Sequence, residues 1–218
     1  MKVAILVAMP IEQEILLGTG LEAPGVDLLY VCTGIGKANA ARAATETILR
    51  DKPDIVINTG CAGGMGAGMH FMDTVVAERT AYHDVWCGEP NLRGQVQGQP
   101  LYYESDPGLV EFAHLAAARF EGRVHFGLGA SGDQFYISRE EDQRILDVLP
   151  EAISSDMESG AIAQTCLHYE IPFINIRSVS DTHGSDEEQQ ATYSDFWTEV
   201  RLHGFAFLKE FLRVLSKT

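Results

Sequence analysis

Residues 54–64 read DIVINTGCAGG: three consecutive β-branched apolar side chains, Ile55, Val56 and Ile57, and then a cluster of glycine, cysteine and alanine. A short apolar run without polar alternation, bounded by turn residues, is the pattern of a strand covered on both faces, as in a parallel sheet. The small residues behind it leave room for a concave backbone turn whose N–H groups face inward. Working outward, the same pattern recurs in VAILVAM from Val3, VDLLYVC from Val26, DTVVAER from Asp73, RVHFGLGA from Arg123 and FINIRSVSD from Phe173. Helical spacing and good helix formers fill the intervals Lys37 to Arg50, Leu109 to Arg119, Ser138 to Val148, Met157 to His168 and Tyr193 to Leu215. Ser138, followed by acidic residues, reads as an N-cap. Alternating strands and helices predict an α/β fold with a substantially parallel sheet, in one domain spanning 1–218. The segment from Trp86 to Pro100, rich in Gly, Pro, Asn and Gln, is expected to be a long loop at a site, at an interface or simply at the surface.

The 31 acidic residues against 16 Lys plus Arg give a net charge of −15, which repels phosphate backbones and anionic lipid. Nucleic acid and membranes are therefore not expected as partners. Cys32, Cys61, Cys87 and Cys166 lie far apart without CxxC spacing, so no metal site is expected. The amino-terminal run KVAILVAM is too short for a signal sequence, and no stretch of roughly 18 apolar residues occurs, so a cytoplasmic location is expected.

In open α/β sheets, ligands bind beyond the carboxyl ends of strands. Those positions carry AMPIEQE with Glu12, GIGKANA, TGCAGG, SGDQFY, DMESG with Glu158, and SVSDTHG with Asp181. Singly, Glu12 reads as a helix start, Glu158 as a cap and Asp181 as a turn former. Three carboxylates after three strands, beside small residues that let a ligand approach, read together as a site. Within SSDMESG (154–160), Ser155 and Asp156 read as caps of the following helix. GIGKANA lacks the third glycine of a dinucleotide fingerprint and the lysine placement of a phosphate loop, so close helix–strand packing explains it. Cys61 reads as a small residue that fits its turn, with a nucleophilic role the lesser alternative. His83 and His183 are further acid–base candidates, each more simply read as a turn histidine.

Taken in order, AMPIEQE, GIGKANAA, INTGCAGG, AYHD, SGDQF, DMESGAIA and RSVSD resemble the nucleoside phosphorylase/hydrolase family, and most closely its methylthioadenosine/S-adenosylhomocysteine nucleosidase branch. The likeness runs from Met1 to the last helix. It implies a phosphorylase/hydrolase-like domain with a central twisted mixed β-sheet flanked by helices, a homodimer, a purine nucleoside substrate and no cofactor. It also implies hydrolysis of the N-glycosidic bond between adenine and a 5′-thio-substituted ribose. By matching motifs, Glu12 resembles the residue that activates water, Asp181 the acid that protonates the departing base, and Glu158 the holder of the ribose hydroxyls beside Met157. Phe135 would stack on the base, whose edge would meet the backbone of Tyr136. Arg177 and Ser180 would support Glu158 and Asp181. Met9 and Ile35 would line the sugar and thioether side, Cys61, Ala62 and Gly63 the small-residue turn, and Tyr193 would close the pocket. The loop around Trp86 would reach toward the partner subunit.

Three departures separate the chain from the usual pattern of that branch. Cys61 stands where a serine is usual, the stretch between Glu14 and Val26 is short, and Tyr136 replaces an aliphatic residue. They leave open a nucleosidase for another purine nucleoside, such as aminodeoxyfutalosine, or a phosphate-dependent phosphorylase of the same fold. A non-catalytic nucleoside-binding protein is the remaining alternative.

Overall fold

The computed structural model describes residues 1–65, 68–135, 138–182, 196–200 and 205–217. Its elements, in chain order, are β1 (Lys2–Val7), α1 (Pro10–Gly18), β2 (Asp27–Cys32), α2 (Lys37–Asp51), β3 (Ile55–Gly64), β4 (Thr74–Tyr82) and β5 (Tyr103–Glu104). Then follow α3 (Pro107–Ala117), β6 (Val124–Ser131), α4 (Arg139–Val148), β7 (Ala152–Asp156), α5 (Ser159–Tyr169), β8 (Phe173–Thr182) and a final helix, here α6 (Ala206–Leu215). All six apolar runs are strands, and β5 and β7 are added to them. Ser138 caps α4, its Oγ accepting from the Glu141 N–H, and residues 86–100 hold neither helix nor strand. Among the described residues no helix is long and apolar enough to cross a membrane.

The sheet is mixed, as the resemblance implies, and half of it closes on itself. β2, β1, β3 and β8 run parallel to their neighbours, as do β4, β6 and β7 among themselves. β8 joins the two groups by pairing parallel with β3 and antiparallel with β4. A second, two-residue antiparallel bridge, Gly63 to Ser155 and Gly64 to Ser154, shuts the ring β3–β8–β4–β6–β7. That bridge brings the carboxyl ends of β3 and β7 together, so strand ends from both groups converge on one place. Glycines make the approach possible: a Cβ on Gly63 would lie 3.2 Å from Ser155 Oγ.

The expected helix from Tyr193 to Leu215 is divided. Residues 196–200 are helical, but Phe205 is left-handed at φ 48°, so α6 starts afresh at Ala206. The reason is burial: Phe205, Phe207, Leu208, Phe211 and Leu212 all enter the core formed by β1, β3, β8 and α3. A left-handed residue is expensive for a side chain with a Cβ and is kept only where packing over-determines it. Apolar burial on this face provides that packing. Phe211 is completely buried, and Phe211→Ala is expected to lower stability by about 3–5 kcal/mol, measurable as a drop in the urea midpoint with an unchanged slope.

Candidate active site

The converging strand ends line a single cleft. Ala8, Met9 and Glu12 come from the end of β1 and from α1, and Ile35 from the turn before α2. Cys61, Ala62 and Gly63 belong to β3, and Gln134 and Phe135 follow β6. Ser155, Asp156, Met157 and Glu158 come from the β7–α5 junction, and Arg177, Ser180 and Asp181 from β8. The three carboxylates picked out in the sequence thus meet, as do Met9, Ile35, Cys61, Ala62, Gly63, Phe135, Met157, Arg177 and Ser180. Tyr136, Tyr193 and His183 lie outside the described residues. Ala8, Gln134 and Ser155 are further lining residues; the sequence marks Ala8 and Gln134 only by adjacency to Met9 and Phe135, and reads Ser155 as a helix cap rather than a lining residue.

Glu12 is fully buried, held by three backbone N–H groups with the Cys61 thiol beside it. Its Oε2 accepts from the Ala8 and Met9 N–H groups, both at 2.9 Å, and Oε1 accepts from Cys61 N–H at 3.0 Å. The first two are available because Ala8 and Met9 lie between the end of β1 and the first residue of α1, outside both the sheet ladder and the helix. A carboxylate has about four acceptor positions, so three donors leave roughly one for a molecule in the cleft. Gly60 makes this possible: at φ +130° with a virtual Cβ 2.5 Å from Glu12 Oε1, any larger residue would strike the carboxylate.

Glu158 sits at the N-cap of α5 and is buried. Oε1 accepts from Gly36 N–H at 2.9 Å and Oε2 lies 3.4 Å from Arg177 Nη2. Burial pushes its pKa up to about 7, aided by the charges of Asp156 and Glu12 and opposed by Arg177 and the Gly36 N–H. Asp156 does cap α5, as the sequence suggested, with Oδ1 accepting from Glu158 N–H at 2.9 Å and Ser159 N–H at 2.8 Å. Its Oδ2 accepts from Ser159 Oγ–H and lies 3.5 Å from Arg177 Nε.

Arg177 is the cation among these acids and is only 1% exposed. Besides the two carboxylates, its Nε donates to Asn175 Oδ1 at 3.2 Å and its Nη1 to the Cys61 carbonyl at 3.1 Å. Burial works against its charge, but Asp156, Glu158 and Glu12 outweigh that and hold its pKa above the ordinary value. Cys61 therefore contributes through its main chain, donating to Glu12 and accepting from Arg177. Burial, with Glu12 close by, raises its thiol well above the usual range, which removes the thiolate a nucleophile needs.

Asp181, at the end of β8, is buried, with Oδ1 2.5 Å from Ser180 Oγ. The same Oγ lies 3.3 Å from the Ala62 carbonyl. A hydroxyl donates one proton, so Ser180 can donate to an ionised Asp181, or donate to Ala62 and accept from a protonated Asp181. The pair accommodates both protonation states. His83 is not among the residues lining the cleft; it is buried beneath Gly132, and desolvation lowers its pKa.

A strand-end cleft lined by four carboxylates and one buried arginine, on a sheet half closed into a ring, finds its counterpart in a known family. The model of the phosphorylase superfamily matches residues 10–213, and the chain belongs to that superfamily. Within it, the chain is 35% identical to the 5′-methylthioadenosine/S-adenosylhomocysteine nucleosidase of Geobacillus thermodenitrificans (strain NG80-2), over 99% of this chain and 93% of the relative. The S-adenosylhomocysteine nucleosidase of Streptococcus pyogenes, solved with 5-methylthiotubericidin, superposes with a TM-score of 0.90 at 29% identity, covering 99% of this chain and 97% of that one. The 5′-methylthioadenosine/S-adenosylhomocysteine nucleosidase of Neisseria meningitidis, in complex with methylthio-immucillin-A, gives 0.88 at 36% identity over 97% and 98%.

Arg177→Ala leaves Asp156 and Glu158 buried without their cation. We expect a loss of about 3–5 kcal/mol in unfolding free energy, read from chemical denaturation at pH 8.

Proposed function

We propose that this protein is an N-glycosyl hydrolase that splits 5′-methylthioadenosine and S-adenosylhomocysteine into adenine and the 5-thio-substituted ribose, using water as acceptor. The observation that carries the reading is that Glu12, Glu158 and Asp181, which follow or end three different strands, line one cleft. Glycosidic cleavage passes through an oxocarbenium-like state. Carboxylates fixed around the sugar stabilise that charge without reorganising.

The division of labour follows from what each carboxylate can still do. Glu12, rigidly held with about one acceptor position to spare, orients and deprotonates the attacking water. Asp181 gives its proton to the purine ring as the base leaves, with the Ser180 hydroxyl stabilising the carboxyl before and after. Glu158 accepts from the ribose hydroxyls, and Met157 packs against the sugar. Phe135, more than half exposed beside the cleft, stacks on adenine, whose edge meets the Tyr136 backbone. Met9 and Ile35 face the thioether, and Cys61, Ala62 and Gly63 form the small-residue wall. The enzyme works as a homodimer in the cytoplasm, with the Trp86 loop turned toward the partner.

Water is favoured over phosphate by the charge inventory. Among the described residues lining the cleft, the cationic side chain is Arg177, and its contacts go to Asp156, Glu158, Ser159, Asn175 and Cys61. A phosphate would enter beside Glu12 and Glu158 with no cation of its own, which simple electrostatics opposes. A nucleoside-binding protein without turnover has little use for three desolvated acids.

Asp181→Asn cannot protonate the base, and we expect kcat for adenine release to fall about a hundredfold to ten-thousandfold with the protein still folded; a near-parental rate would remove Asp181 from its role. The pH dependence has a definite sign. Because Glu158 must be ionised to accept from the ribose and its pKa is raised to about 7 by burial, kcat/KM should fall as pH drops below about 7. Glu158→Gln, slower throughout, should lack this limb. A kcat/KM that stays level from about pH 7 to 5 would show that Glu158 is not needed as the anion.

A further inference from the structure

β8 does not follow β3 in unbroken register. Val179 pairs with Ala62, whereas the next residue of β3, Gly63, pairs with Asp181, so Ser180 is an extra residue bulged from the ladder. A bulge re-aims the side chains that follow it, and here the residue that follows is Asp181. Val179, just before the bulge, is fixed by the connection between β3 and β4. Its N–H donates to the Asp73 carbonyl at 2.8 Å, and its own carbonyl accepts from Met72 N–H at 2.9 Å.

That connection is in turn fastened by the Asp73 side chain, which is 3% exposed and far from idle. Oδ1 accepts from Arg123 Nε at 2.7 Å, while Oδ2 accepts from the His70 N–H at 2.9 Å and lies 2.8 Å from His125 Nε2. The His70 ring nitrogen Nδ1 stands 3.6 Å from the same oxygen. Burial alone would raise the Asp73 pKa, but Arg123, His125 and the His70 N–H outweigh it and keep the carboxyl below its ordinary value. His125 belongs to β6 and Arg123 immediately precedes it. One carboxylate therefore ties the β3–β4 connection to the start of β6, and its own main chain ties it to β8. None of residues 70–73 lines the cleft.

We propose that Asp73 is a positioning residue for Asp181: anchored by Arg123, His125 and the His70 N–H, it pins Val179 and thereby sets the bulge at Ser180 that aims Asp181 into the cleft. This rests on the reading of Asp181 as the acid that protonates the leaving base. Asp73→Asn keeps the shape of the side chain but weakens its hold on the arginine and histidine. The loss should fall on turnover, because a small displacement of a reacting group costs far more in rate than in binding.

The test compares the parent, Asp181→Asn and Asp73→Asn in two measurements: kcat for adenine release from methylthioadenosine, and the dissociation constant of a non-hydrolysable thio-nucleoside analogue. For Asp73→Asn we expect kcat to fall about tenfold to a hundredfold while analogue affinity stays within about threefold of the parent. A smaller fall in kcat, or a loss of affinity in proportion to kcat, overturns the positioning role. A parental rate in Asp181→Asn overturns the acid assignment itself, and the positioning role with it. Should Asp73→Asn not remain folded at the assay temperature, His125→Gln, which removes one of the Asp73 partners, is judged by the same two measurements and criteria.

Discussion

A guanidinium buried in the middle of the protein is the constraint on which the rest depends. Arg177 cannot lose its proton at accessible pH, and placing it out of water is tolerable only if paired charges and acceptors surround it. The fold meets that demand from three directions: Asp156 and Glu158 from the β7–α5 junction, Asn175 from its own strand, and the Cys61 carbonyl from β3. Each is fixed by something else. Asp156 is occupied as the cap of α5, Asn175 is bound by Asn58, and the peptide before Cys61 donates to Glu12. The buried cation thus links the acid after β1, the small-residue turn of β3 and the acids after β7 into one polar network.

The chemical consequence is preorganisation. With Glu12 and Glu158 each hydrogen-bonded to the protein, a nucleoside meets a negative surface that need not rearrange as positive charge grows on the sugar. The network also separates roles by environment. Glu12 rests on three backbone N–H groups, with the Cys61 thiol beside it. Glu158 is raised toward neutrality by burial and is restrained by Arg177. Asp181 stands next to a hydroxyl that suits either of its protonation states. Carboxylates with distinct surroundings on one cleft are what acid–base division of labour requires.

The strands and most helices were legible because apolar runs and capping residues are local signals. β5 and β7 were harder: two residues, or five mixed apolar and hydroxyl residues, carry little pattern of their own and become strands through pairing with β4 and β6. Closure of the half-barrel was invisible, since it depends on Gly63 and Gly64 meeting Ser154 and Ser155 across about ninety positions of sequence. The division of the last helix followed from the burial of Phe205, where tertiary packing overrides propensity. In the site, the charged residues were legible from their positions at strand ends and by resemblance. Ala8, Gln134 and Ser155 were not, because lining a cleft through the neighbours' geometry leaves no chemical mark on a residue that carries no charge. The bulge at Ser180 was equally silent, for register is a property of two strands.

Hydrolysis of a thio-nucleoside with water as acceptor is tested by adenine release from 5′-methylthioadenosine and S-adenosylhomocysteine by the purified protein, with and without inorganic phosphate. The account predicts release from both at rates that phosphate leaves unchanged, with free 5-thio-substituted ribose as the co-product. Absence of release, or release that requires phosphate and yields a sugar 1-phosphate, would contradict it.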